Sequence, residues 1–234
     1  MLLKKRDFPK METMERMITA NLKEDFEDFI LEKDHPCVMA QSVFSMDAVE
    51  LHAYRDTASL DSAKELLKDL ENYVSGYDFE SNDFKTFIAV FPNSPKYSEL
   101  EFETKLWELL GNLKKFDHCA WDKEVSPDPE DEHFSFSLCG KAFYIVGMHP
   151  GASRKARRSP YFSIAFNLHW QFEKLRAMGT YQTVRNKIRD RDRELQGNIN
   201  PMLEDFGKNS EARQYSGRAV GEKWKCPFHH SKKQ

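Results

Sequence analysis

A single α/β domain, with α+β as the alternative, is the fold class this sequence predicts: a mixed β-sheet flanked by helices. Helical periodicity alternates with short apolar runs through residue 116, β-branched and aromatic stretches bounded by Pro or Gly follow, and a hairpin signal sits near residue 140. With 234 residues and 40% hydrophobic content, the chain is long enough for a full core.

Each element has its own warrant. From Met11 to Lys33, the residues Met14, Met17, Ile18, Leu22, Phe26, Phe29 and Ile30 recur at three- and four-residue intervals. They predict an amphipathic helix inside an N-terminal helical segment, residues 1–34. The apolar run CVMAQSVF (37–44) predicts a buried strand, and AVELHAY (48–54) its neighbour. SLDSAKELLKDLENYVS (59–75) predicts a helix capped by Ser59 or Asp61, and KTFIAVF (85–91) a strand that stops at Pro92. YSELEFETKLWELLGNLKKF (97–116) returns to helical periodicity, and VSPDPEDEH (125–133) is a loop. FSFSLC (134–139) and AFYIVGMH (142–149), separated by Gly140-Lys141, predict a β-hairpin. SIAFNLH (163–169) predicts a strand, followed by helix to about Gln196 and irregular chain to 228, with a polar tail at 229–234.

Several function classes lose ground at once. No run approaches eighteen apolar residues and MLLKKRDFPK lacks a signal core, so a cytoplasmic protein with no membrane partner is expected. Cys37, Cys119, Cys139 and Cys226 lack metal spacing, as reduced thiols would. GxGxxG, Walker, HExxH and GxSxG signatures are missing.

Charge is asymmetric. Residues 1–146 carry 17 Lys+Arg against 30 Asp+Glu, whereas 147–193 carry 11 against 3. The cationic block begins in GMHPGASRKARR (147–158), where a predicted strand ends. His149 beside Arg154, Arg157 and Arg158 suits an anionic ligand, or heme, which takes an axial histidine and has propionates that cations neutralise. In FNLHWQFEKLR (166–176), on a strand or short helix, His169 is a second candidate iron ligand or a pocket base. Glu173 there could anchor a cationic substrate or pair with Arg176. Cys226, in WKCPF, competes for the iron as a thiolate or packs as a small hydrophobe. YQTVRNKIRDRDRELQG (181–197) alternates in sign like a solvated helix, and SEARQYSGR (210–218) brings Arg213, Tyr215 and Arg218 into an irregular segment.

GMHPGASRKARRSPY, FNLHWQFEKLR, IRDRDRELQGNINPML, SEARQYSGR and WKCPF, in this order and spacing, resemble the YqcI/YcgG family over residues 35–228. That family includes heme-dependent enzymes that N-hydroxylate the guanidine of arginine or arginine-like amino acids in the D-cycloserine and guanitoxin pathways. The resemblance implies an oxygenase using heme b, O2 and an external electron donor on a guanidine or amine nitrogen. The alternative is a heme-binding protein for sensing, storage or electron transfer. It further implies His149 as the proximal ligand, with His169 and Cys226 as alternatives, and Arg154, Arg157 and Arg158 on the propionates. His169 and Glu173 become the catalytic candidates, with Arg213 and Arg218 as further binding residues for a carboxylate. No nucleic-acid partner is expected, because the chain is acidic and few aromatics interleave its basic segment; a homodimer is a possible assembly.

Overall fold

The computed structural model describes residues 21–228. The first part of the predicted N-terminal helix and the 229–234 tail lie outside the described residues. Its strands are β1 (Val49–Ala53), β2 (Thr86–Phe91), β3 (Phe136–Leu138), β4 (Lys141–Met148) and β5 (Phe162–Leu168). They form one open sheet in the order β1-β2-β5-β4-β3, in which β1 and β2 are parallel and the remaining pairs antiparallel. This is the mixed sheet of a single α/β domain.

Strand alternation divides the core between two faces. Phe87, Ala89 and Phe91 of β2, Phe143 and Ile145 of β4, and Phe162, Ile164 and Phe166 of β5 join one large cluster. The helices over that face are α3 (Leu60–Ser75) and α4 (Glu99–Phe116). Ser59 caps α3, its hydroxyl accepting from the Asp61 and Ser62 amides at 3.2 and 3.3 Å. A reciprocal Ser98–Glu101 box starts α4. Leu66 and Leu70 of α3 and Leu106, Leu109, Leu110 and Leu113 of α4 are fully buried, each burial contributing about 1.5–3 kcal/mol.

The opposite face takes Ile88, Val90, Met148 and Ala165 into a smaller cluster with Leu22, Phe26, Phe29 and Ile30. Those last four belong to α1, the helix through residues 21–27 that closes in a π turn, Asp28–Glu32. Val43 and Phe44 come from α2 (Val38–Ser45). Residues 37–44 were expected as a strand, but the chain from Val38 is helical. Cys37 caps the helix through its sulfur, which accepts from the Ala40 amide at 3.5 Å. Only Val43 and Phe44 in α2 are buried, so the run needs one covered stripe rather than two covered faces, and Met, Ala and Gln favour helix there.

The β3–β4 hairpin turns on Cys139-Gly140, one residue earlier than predicted, with Leu138 paired to Lys141. Both turn residues have positive φ, +54° and +73°, as a two-residue primed turn requires. After β5, α5 (His169–Ala177) begins without an intervening residue, and α6 (Tyr181–Gln196) and the short α7 (Ala212–Tyr215) follow. The 181–197 segment is therefore helical as expected. No helix among the described residues is long and apolar enough to cross a membrane.

The end of α7 is fitted closely to β4. A Cβ on Gly147 would lie 2.8 Å from the Tyr215 carbonyl oxygen and 2.9 Å from the Phe102 ring. Gly147→Ala is expected to cost about 1–3 kcal/mol through this overpacking, read as a lower urea midpoint at unchanged slope.

Candidate functional site

The smaller-core face of the sheet is not fully covered, and a cavity of about 290 Å³ remains there. That volume is near the small end of the range for small-molecule sites, about 300–1,000 Å³. Side chains of one parity build the floor: Thr86 and Ile88 from β2, Tyr144 and Val146 from β4, Ala165 and Asn167 from β5. Phe26, Ile30 and Val43 form one wall, while Val184, Arg185 and Ile188 of α6 and Phe206 form another. The floor's polar groups pair mainly with one another. Thr86 donates to the Asn167 amide oxygen at 2.7 Å, Asn167 donates to the Tyr144 carbonyl at 3.3 Å, and the Tyr144 hydroxyl donates to Gln214 at 2.8 Å.

Two arginines from the cationic block reach this cavity. Arg154 is buried and pairs with Asp192 of α6, whose carboxylate also accepts from the Asn200 amide at 2.9 Å. The same Nη2 donates to the Asn198 carbonyl at 3.0 Å, and Nη1 donates to the Asn198 side-chain oxygen. Arg157 is buried with no carboxylate within salt-bridge reach among the described residues. Its guanidinium donates to the carbonyls of Gly147, Gln214 and Tyr215 at 2.9, 3.3 and 3.4 Å, fastening the end of α7 to β4. Arg158 turns away, donating to the Ala152 carbonyl at 2.9 Å. Arg213 donates to the Gly221 carbonyl and covers Trp224, and Arg218 pairs with the buried Glu103. None of these last three lines the cavity.

The candidate metal ligands separate in the same way. His149 is buried on the far side of β4, its ring stacked on Phe102 at 4.1 Å. Its Nδ1 accepts from the Gly151 amide at 3.3 Å, and burial lowers its pKa. Cys226 packs in the larger core, where burial pushes its thiol up to about 12. His169 alone of the three lines the cavity. The strand-to-helix corner at Leu168–His169 points it there, at the carboxyl end of β5. Its Nε2 lies 3.3 Å from Glu173, and its Nδ1 is buried without a hydrogen-bond partner, 3.8 Å from Glu211. Burial lowers the His169 pKa, with the Glu173 charge opposing. Glu173 itself is half exposed and pairs with Arg176.

Several lining residues were not singled out from the sequence. Glu211 and Gln214 sat inside the SEARQYSGR string, and Asn167 and Gln171 inside FNLHWQ. Burial pushes the Glu211 carboxyl up to about 8, against the hydrogen bonds of Ser135 and Tyr215. His35 and Cys37 also face the cavity. The His35 Nδ1 accepts from the Cys37 amide at 3.2 Å, so its proton sits on Nε2 and is donated to the Ala156 carbonyl at 2.8 Å.

A family model described as the YqcI/YcgG family matches residues 26–229. The chain belongs to that family. It is 26% identical over 207 residues to "Uncharacterized protein YqcI" of Bacillus subtilis (strain 168), covering 84% of this chain and 81% of that protein. "Uncharacterized protein YcgG" of the same organism is 25% identical over 210 residues, with the same coverage of each chain. No solved structure matches.

Two outcomes follow from the buried charges. Removing Asp192 would strand the Arg154 guanidinium, so Asp192→Ala should cost about 3–5 kcal/mol in denaturant unfolding. An Arg154→Met/Asp192→Leu pair should recover most of it. His35 is held neutral by burial, its pKa pulled from 6.5 to about 4. Between those values the unfolded chain binds the extra proton. The His35 contribution is therefore intact above pH 6.5 and lost as pH falls toward 4, about 3 kcal/mol in all. His35→Gln should flatten that part of the stability–pH curve.

Proposed function

We propose that this protein is a heme-dependent oxygenase that N-hydroxylates a guanidine or amine nitrogen of an arginine-like small molecule. Heme b would sit in the cavity beneath α6, with O2 and an external electron donor as co-reactants. The resemblance of five ordered motifs supports the activity class. One structural observation carries the choice of site: His169 presents a buried imidazole with an unpartnered Nδ1 at the wall of a mainly apolar cavity. His149 has an unpartnered Nε2 too, but its ring lies flat against Phe102 and outside the cavity. On donor chemistry, then, the residues fit the group, and His169 is preferred over His149 and Cys226 as the residue meeting iron.

Heme, when bound, supplies the binding and reductive activation of O2. The chain's own residues supply position and exclusion of water. Ile88, Val146, Ala165 and Phe206 keep the surroundings apolar, which strengthens any charge interaction made inside. Arg157 offers a propionate a buried positive charge that no carboxylate among the described residues pairs with. Arg154, committed to Asp192, holds α6 over the cavity rather than meeting a ligand.

Protein purified from heme-supplemented cells should show a Soret band. His169→Ala should abolish or shift it, and His149→Ala should leave it in place. A colourless protein that cannot be reconstituted with hemin would overturn the proposal. A band without any shift on adding arginine analogues, and without O2 consumption coupled to product, would favour a heme-binding module instead.

A further inference from the structure

Of the three shielded carboxyl groups of the cavity wall, buried Asp192 and Glu211 and part-buried Asp205, Glu211 is the exception. Asp192 pairs with Arg154, and Asp205 with Arg185 and, at 3.8 Å, Arg189. Glu211 has no Lys or Arg within salt-bridge reach among the described residues. Its neighbours are the Tyr215 hydroxyl, which donates to Oε2 at 3.3 Å, and the His169 ring, 3.8 Å from Oε1. It is 4% exposed, yet it lines the cavity. A carboxyl taken out of water ionises only at a cost unless a cation is set directly beside it, and among the described residues only the His169 ring comes within 4 Å. The missing partner is one that arrives with a ligand.

We infer that Glu211 is the anchor for the cationic head of the cavity's ligand, a guanidinium or ammonium group. Glu173, the sequence-level choice for that role, already has Arg176. A guanidinium brings planar paired donors that match a carboxylate edge, and the surrounding low polarity makes the contact strong. Tyr215 fixes the carboxyl from behind, its own hydroxyl held by the Phe136 amide at 2.9 Å. The inference rests on the cavity being the ligand site, and it does not require heme.

Calorimetric titration with L-arginine and its neutral isostere L-citrulline tests it, backed by alkylguanidines and alkylamines with neutral analogues of matching shape. The protein is used as purified, with its heme content read from the absorption spectrum. At least about a tenfold preference for the cation is expected in the wild type, falling to within about twofold in Glu211→Gln, which keeps the side-chain shape. Circular dichroism and urea unfolding confirm that the variant is folded. If no cation in the set binds more tightly than its neutral counterpart, the inference is overturned. It is also overturned if Glu211→Gln keeps the preference while altering the heme spectrum, because the carboxyl then serves His169. A cation preference that depends on Glu211 in a protein with no Soret band would sustain this inference while sinking the heme reading.

Discussion

The Arg154–Asp192 ion pair is the constraint on which the arrangement of the site depends. It joins the turn after β4 to α6, and Asp192 also holds the chain past α6 through the Asn200 amide. Both side chains are buried, so the pair is costly to form and costlier to break: its attraction offsets desolvation only while both partners remain. What it secures is position. α6 has few buried residues of its own, Asp192 being the one fully withdrawn from solvent. The helix is therefore tethered by charge rather than packed down by apolar contact, and the space between it and the sheet stays open.

Arg157 complements that tether from the other direction. Its guanidinium draws the carbonyls at the end of α7 onto β4, where cation and helix end attract. Two arginines three residues apart thus attach two distant segments to one strand end. The net charge of that block looks like an advertisement to a ligand, yet Arg154 and Arg158 spend their donors inside the protein. A cluster of like charges in a sequence carries no information about where the acids of the fold will be delivered to it.

Legibility followed that distinction. Both large-core helices and β2 were legible because their patterns are local: apolar periodicity runs through both helices, Ser59 marks one start, and the all-buried TFIAVF reads as a buried strand. Residues 37–44 were misread because a short apolar run has no period that separates strand from helix, and the capping group was a cysteine, not a usual oxygen. Within α6, alternating signs hid Asp192, because the sequence does not say which acid the helix turns inward. The motif strings contain residues of the cavity wall: His169, Glu211 and Gln214 all lie in them. What they could not rank was the individual histidines, since His149 and His169 each end a strand rich in apolar residues. Only packing separates them, one ring flat on Phe102 and the other at a cavity wall.

Two buried imidazoles, each with an unpartnered nitrogen, are unequal for a physical reason. An unsatisfied buried N–H or lone pair costs on the order of 1–3 kcal/mol. At His149 the stacked Phe102 ring and the Gly151 amide stabilise the imidazole in place, and close packing excludes any newcomer. At His169 the unpartnered Nδ1 shares its surroundings with a carboxyl that has no Lys or Arg within salt-bridge reach among the described residues. Two incomplete groups side by side at a cavity wall mean that the polarity there is set in advance of occupation. A ligand of matching charge would meet a wall already arranged for it, and such preorganisation favours selectivity because little of the interaction is lost to reorganisation.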